Sequence, residues 1–359
     1  MDSVLIIGGT RFIGRFLVEE FLGAGYDVTL FNRGKHPNPF ADRDGVNHIA
    51  GDRKSRVSIG EAVEAAGADV VVDCVAYFPG EVEQTTQVLG DEIDAYVYIS
   101  SGGAYGVDEI PKREGETPLE PCSDEQAVDD SPATYGARKA EGDRRVFEAA
   151  ENGVRAMSVR PTIVYGPHDY TGRFHYWVEQ VRERDRVLVP GDGTNVHHLV
   201  AVQNVASAVR TVAEEGESGE AYNVGDRRLL PLKETIGLIA DALETDVELV
   251  TTSARELAQS DLAMTDFPLY NPDLHVLSTA KLSSLGWDPM TPRSAIERAV
   301  GGPVDPERDP GPDPAAVDEL LDLLSDSDCC DYFRVFCLVK ISSEVHASSP
   351  PVRSVSISS

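Results

Sequence analysis

Apolar positions follow two alternating periods along the first part of the chain, and the alternation predicts the architecture. Val4-Leu5-Ile6-Ile7 is an unbroken apolar run, the pattern of a strand buried on both faces. Gly8-Gly9-Thr10 interrupts it, and the stretch Phe12–Ala24 then sets Phe12, Phe16, Leu17, Phe21 and Leu22 on one side of a helix. Asp27–Phe31 predicts a second strand. Further runs at Val46–Ala50, Ala68–Val75, Ala95–Ser100 and Val154–Arg160 predict strands, with helices near Val57–Ala66, Glu81–Gly90 and Tyr135–Glu151. Strands and helices taking turns in this way predict an α/β fold: a doubly wound parallel sheet of the Rossmann type.

The pattern changes after Val164-Tyr165-Gly166-Pro167. Arg173–Glu183 predicts a helix with Phe174, Trp177 and Val181 turned toward packing, and Val202–Glu214 predicts another. Leu230–Ala242 and Pro292–Val300 are assigned to a smaller C-terminal lobe. The expected organisation is a nucleotide-binding domain over 1–165, rejoined by part of 190–225, and a substrate-binding lobe formed by 166–189 and 226–300. Residues 301–359 are expected to form a variable or poorly ordered tail. The acidic, proline-bearing stretch Asp108–Ser131 reads as a long surface excursion, of the length that often carries function. The tail holds Cys329, Cys330 and Cys337, which lack the paired spacing of a zinc site, and no metal site is expected.

Composition adds one strong constraint. The 359 residues carry 61 acidic and 32 basic side chains, for a net charge of -29, and only seven of the basic residues are lysines. Such a field repels nucleic acid and anionic membranes at long range and suits a salty cytosol, because the acids are dispersed rather than gathered in a tail. No stretch approaches the roughly 18 apolar residues of a membrane span. The N-terminus enters its first strand at once, unlike a signal peptide, so a cytoplasmic location is expected.

Three groups of residues carry chemistry. The strand–turn–helix beginning at Val4 lets a phosphate approach the backbone, where unpaired helix N–H groups hold it. Tyr135 and Lys139, four apart on a helix, share one face, and a nearby ammonium favours a phenolate that can exchange protons with a substrate hydroxyl or carbonyl. Ser100-Ser101-Gly102-Gly103 follows an apolar strand, and ligands in open α/β sheets bind outside the carboxyl ends of strands. Ser101 is therefore placed to hydrogen-bond the reacting oxygen, whereas Ser100 reads better as a turn residue. His197 and His198, adjacent on a strand, face opposite sides and cannot share a metal. Cys74 reads as a small buried hydrophobe rather than a nucleophile.

Gly8-Gly9-Thr10-Arg11-Phe12-Ile13-Gly14, Ser100-Ser101 with Tyr105-Gly106, Tyr135 with Lys139, and Arg160-Pro161-Thr162 with Tyr165-Gly166-Pro167 together resemble the extended short-chain dehydrogenase/reductase superfamily. Within it the chain resembles the NAD-dependent epimerase/dehydratase family, near UDP-glucose 4-epimerase-like proteins, over roughly residues 1–300. The resemblance implies a catalytic Ser101, Tyr135 and Lys139, with Tyr135 as acid/base, Lys139 lowering its pKa and binding the nicotinamide ribose, and Ser101 polarising a sugar oxygen. It implies cofactor contacts at Gly8, Thr10, Arg11, Phe12, Ile13, Gly14, Asn32, Arg33, Lys35, Asp52, Ala76, Tyr135, Lys139 and Pro161. Substrate contacts are expected at Ser101, Gly102, Arg173 and Trp177. The implied partners are a nucleotide sugar and, as in related enzymes, a second copy of the chain.

Departures from the family pattern are specific. Arg11 replaces the middle glycine of the turn, where it either donates to a phosphate or points outward. Asn32-Arg33-Gly34-Lys35 stands where an NAD enzyme commonly has an acid for the ribose hydroxyls, so NAD and NADP both remain open as cofactor. Gly102 and Gly103 stand where dehydratases of the family carry two acids, which disfavours sugar dehydration. Ala201-Val202-Gln203-Asn204 replaces a His-Val-x-Asp segment. The expected activity is a sugar-nucleotide epimerase or oxidoreductase. The alternatives are an NADPH-dependent reductase of a small carbonyl compound and a non-catalytic member resembling chloroplast stem-loop RNA-binding proteins.

Overall fold

A seven-stranded parallel sheet runs through the centre of the molecule, because its inner strands are apolar on both faces and need cover on each side. The computed structural model describes residues 1–90, 93–303 and 311–326. The first strands are β1 (Ser3–Ile7), β2 (Asp27–Asn32), β3 (Val46–Ala50), β4 (Val70–Asp73), β5 (Ala95–Ile99) and β6 (Ala156–Pro161). Three short pairs follow, from β7 (Ile163–Tyr165), β8 (Arg186–Pro190), β9 (Val196–His197), β10 (Leu199–Ala201), β12 (Leu230–Pro231) and β13 (Glu248–Thr252). The seventh strand of the large sheet, β11 (Ala221–Val224), comes from far along the chain and pairs with β6. The strand order is β11-β6-β5-β4-β1-β2-β3, and β1 pairs in parallel with both β2 and β4.

Helices α1 (Phe12–Gly23), α2 (Arg56–Ala66), α3 (Pro79–Thr86), α4 (Asp124–Val128), α5 (Tyr135–Glu151), α6 (Arg173–Glu183), α7 (Val202–Glu215) and α8 (Leu232–Ala242) supply the cover. On one face Val4 and Ile6 pack with Leu17 and Phe21 of α1 and Val205 and Val209 of α7. On the other, Leu5 and Ile7 pack with Ile59 of α2, Val82 of α3 and Val146 of α5. Alternate residues of β1 thus serve two cores, as the period of two requires.

The doubly wound α/β fold expected from the sequence is the observed one. The excursion Asp108–Ser131 is not wholly a surface feature. Lys112 is buried, its backbone N–H donates to the Val276 carbonyl, its carbonyl accepts from the Ser278 N–H, and Tyr105 bridges Leu119. The partners of Lys112 lie far away in sequence, which is why local pattern did not reveal them. The unit Met1–Leu321 is compact, and of a second unit beginning at Asp322 only the end of the helix Pro314–Asp326 is described. The tail cysteines lie outside the described residues. Among the described residues no helix is long and apolar enough to cross a membrane.

Candidate active site

The carboxyl ends of β1, β2, β5 and β6 open onto one cleft of about 1320 Å³, with Ile7, Asn32, Ile99 and Pro161 in its wall. Its floor begins at the glycine turn. Gly8 and Gly9 have φ of 117° and 89°, in the region where a side chain is strained. Gly14 lets α1 lie against that turn, since a Cβ there would come within 2.7 Å of the Gly9 nitrogen. Arg11 occupies the N-cap of α1 without a side-chain cap, and Arg11, Phe12, Ile13 and Gly14 at the helix start line the cleft. A close-approaching backbone and an uncapped helix start fit a pyrophosphate group.

Arg11 does not extend straight to solvent. Its guanidinium lies 4.8 Å from the ring centre of Tyr170, which also meets Phe12 edge-on at 5.9 Å. The Tyr170 hydroxyl lies 3.4 Å from that of Tyr77. Tyr170 was not singled out from sequence. Its place after Gly166-Pro167 gives no local sign that it reaches across to Tyr77.

α5 delivers Tyr135 and Lys139 into the same space. Gly136 allows this: a Cβ would lie 2.5 Å from the Gly103 carbonyl oxygen. The entry to α5 is pinned by buried Arg138, which donates to the carbonyls of Tyr77 and Ser131 at 3.1 and 3.2 Å. Lys139 is buried, and its ammonium donates to the carbonyls of Ala76 at 2.9 Å and Ile99 at 2.8 Å. An ammonium has three N–H donors, so one remains for a ligand. The rings of Tyr98, Tyr77 and Tyr135 surround it at 4.7, 5.4 and 5.9 Å. Burial pushes the Lys139 pKa down to about 8, against the pull of Asp73 and Asp143.

Ser101 caps the short turn Gly102–Ala104, accepting from the Gly103 N–H at 3.1 Å. Loss of water raises the Tyr135 pKa, Ser101 opposes this, Tyr170 adds to it, and Arg173 and Arg138 oppose it. The net direction is upward, contrary to the lowering by Lys139 expected from sequence. The reason is that loss of water around the phenol outweighs the nearby positive charge.

Most of the residues singled out from sequence meet here. Gly8, Thr10, Arg11, Phe12, Ile13, Gly14, Asn32, Arg33, Lys35, Asp52, Ser101, Gly102, Tyr135, Lys139, Pro161 and Arg173 all line the cleft. Ala76 stands behind it, buried, and acts through its carbonyl on Lys139. Trp177 does not line it. The indole is fully buried, donates to the Pro268 carbonyl at 2.8 Å and stacks on Phe267. The apolar face of α6 faces the core and Arg173, at its first turn, faces the cleft, so the pair does not act together.

Sequence reasoning also missed His275, which lines the cleft beside Gly102. His198 lines it too, but as a structural link: it accepts from the Leu277 N–H at 3.1 Å and donates to the Asp226 carbonyl at 3.0 Å. Burial pushes its pKa down to about 4. Cys74 donates to the Ile7 carbonyl, and burial pushes its pKa up to about 12, so it is no nucleophile at neutral pH. Among the described residues no cluster suits a metal ion.

Comparison with known proteins places the chain in a family. The model of the NAD dependent epimerase/dehydratase family matches residues 4–225. The chain is 30% identical over 238 residues to the chloroplast stem-loop binding protein of 41 kDa b of Arabidopsis thaliana, covering 63% of this chain and 59% of that protein. It is 27% identical over 316 residues to the low-salt glycan biosynthesis protein Agl12 of Haloferax volcanii, covering 80% of this chain and 93% of that one. The fold matches the UDP-glucose 4-epimerase of Thermus thermophilus, solved with NAD, with a TM-score of 0.62. That match has 22% identity and covers 83% of this chain and 97% of the other. It also matches a dTDP-glucose 4,6-dehydratase of Bacillus anthracis, solved with NAD, with a TM-score of 0.64 and 21% identity, over 84% and 96% of the two chains.

Proposed function

Because this chain belongs to the NAD-dependent epimerase/dehydratase family, we propose that it is an NAD(P)-dependent sugar-nucleotide epimerase or oxidoreductase acting by reversible hydride transfer. One observation carries the reading: Ser101, Tyr135 and Lys139 open onto the same cleft as the glycine turn and the uncapped start of α1. A cofactor phosphate group and a proton-transfer group are thereby served by one continuous space.

The residues divide the work. Gly8, Gly9 and the first turn of α1 hold the pyrophosphate. Lys139 offers its remaining N–H to the nicotinamide ribose. The bound nicotinamide supplies the acceptor and donor of hydride. Ser101 donates to the sugar oxygen, and Tyr135 moves the proton of that hydroxyl. As a base Tyr135 passes through the phenolate, which the Ser101 hydroxyl and the positive charge of Arg173 and Arg138 favour. Arg173, held by its Nε to Thr171 Oγ1 at 3.3 Å, is placed for a substrate diphosphate. Gly102 and Gly103 put no carboxylate beside Ser101, which supports inversion or simple redox over elimination of a sugar hydroxyl.

The test is a panel of UDP- and dTDP-hexoses incubated with NAD+ or NADP+, read by NMR of the sugar and absorbance of reduced cofactor. Inversion at one sugar carbon without net cofactor reduction is the expected result. Consumption of NADPH by small carbonyl compounds, with every sugar nucleotide unchanged, would contradict it and favour a reductase.

A further inference from the structure

We infer that the buried carboxylate of Asp169 acts through the Thr171 hydroxyl to fix the guanidinium plane of Arg173, which then presents both terminal nitrogens as a fork to the substrate diphosphate. The inference rests on the sugar-nucleotide reading above and adds Asp169 and Thr171 to it as positioning residues.

The chain leading into α6 turns through three positive φ angles, 144° at Gly166, 64° at His168 and 68° at Gly172. Asp169 lies at the middle of that loop and is fully buried. A carboxylate out of water is costly unless it is hydrogen-bonded. Here Oδ1 accepts from the Thr171 N–H at 2.8 Å and from the Thr171 hydroxyl at 2.7 Å. Oδ2 is buried with no hydrogen-bond partner among the described residues. Among those residues, then, the side-chain hydrogen bonds of Asp169 all go to Thr171, and it clamps no distant element. Loss of water raises its pKa, and the Thr171 bonds oppose this, followed by the charges of Arg173 and His175.

The polarity of the chain of bonds is fixed. A hydroxyl has one hydrogen to give. Thr171 gives it to the Asp169 carboxylate, so Oγ1 is left as an acceptor, and Arg173 Nε donates to it at 3.3 Å. A guanidinium is a rigid plane, so holding Nε sets the direction of the other two nitrogens. Those two have no hydrogen bond or ion pair among the described residues, and the half-buried side chain lines the cleft. Two parallel N–H groups of this kind match two oxygens of a phosphate chain. The charge is also felt at the reacting end of the cleft, where it opposes the rise in the Tyr135 pKa.

Calorimetry of the NAD+-loaded full chain at fixed ionic strength, with UDP and dTDP as titrants, reads the fork without turnover. Arg173→Gln is expected to weaken binding of the nucleoside diphosphate by at least about tenfold, the scale of a lost charge-assisted bond set. Thr171→Val, which removes the hydroxyl and keeps the shape, is expected to weaken it by about three- to tenfold. Asp169→Asn should do the same, and Thr171→Ser should restore native affinity. In the Arg173→Gln background Thr171→Val is expected to add little, because both act through one group. Each variant is checked by thermal melting and by its NAD+ affinity, which should stay native. Native affinity in Thr171→Val, or losses that simply multiply in the double variant, would overturn the positioning role. Native affinity in Arg173→Gln would overturn the fork and leave the cofactor reading standing. Failure of the native chain to bind either titrant would overturn the inference together with the sugar-nucleotide reading.

Discussion

Lys139 concentrates the residue-scale chemistry. Its folded pKa of about 8 lies below the usual lysine value because burial disfavours the charge. The ammonium is present below that value and is lost as pH rises through it, so kcat/KM is expected to fall above about pH 8. A pH–rate profile on the cofactor-saturated protein checks this, and a flat profile to about pH 10, near the ordinary lysine value, would contradict the role of the cation. The same shift carries a stability sign. Between about 8 and the unfolded value the unfolded chain binds more protons, so this group's destabilisation is full below about 8 and is relieved as pH rises toward the unfolded value. The Tyr135–Lys139 spacing was legible because four residues on a helix return to one face. The anchoring of Lys139 by Ala76 and Ile99 was not legible, since it depends on two strand ends that only the sheet brings together.

At the scale of elements, two glycines govern how the helices approach the site. Gly14 brings α1 against the Gly9 backbone, and Gly136 brings α5 against the Gly103 carbonyl. Gly14→Ala places a methyl group against rigid backbone, so it is expected to cost about 1–3 kcal/mol of stability, as overpacking does. It should also weaken dinucleotide binding by displacing the start of α1. Thermal melts and dinucleotide titration check both, and a variant with native melting and native affinity would contradict the close-approach role. The inner strands read cleanly from sequence because both of their faces are buried. The excursion after β5 did not, because the carbonyl of Lys112 is satisfied by Asn223, 111 residues along the chain, and by Ser278 beyond it.

At the scale of the molecule, charge is distributed in two opposed ways. The net charge is -29, yet Arg11, Arg33, Lys35, Arg53, Lys54, Lys139 and Arg173 line the cleft with, among the described residues, only Asp52, Glu81 and Asp130 as acids. Surface repulsion predicts that the unfolding midpoint rises by several degrees from low to molar salt, as screening relieves it. A midpoint independent of salt would contradict that account. A positive cleft inside a negative surface suits the phosphate-bearing ligand proposed above. The central claim, that Tyr135 moves the proton in this cleft while other residues hold the dinucleotide, is tested most directly by Tyr135→Phe. The account predicts that turnover of the sugar nucleotide is lost by at least about 100-fold, the scale of general acid–base catalysis, with dinucleotide affinity nearly unchanged. Native turnover in that variant would contradict it.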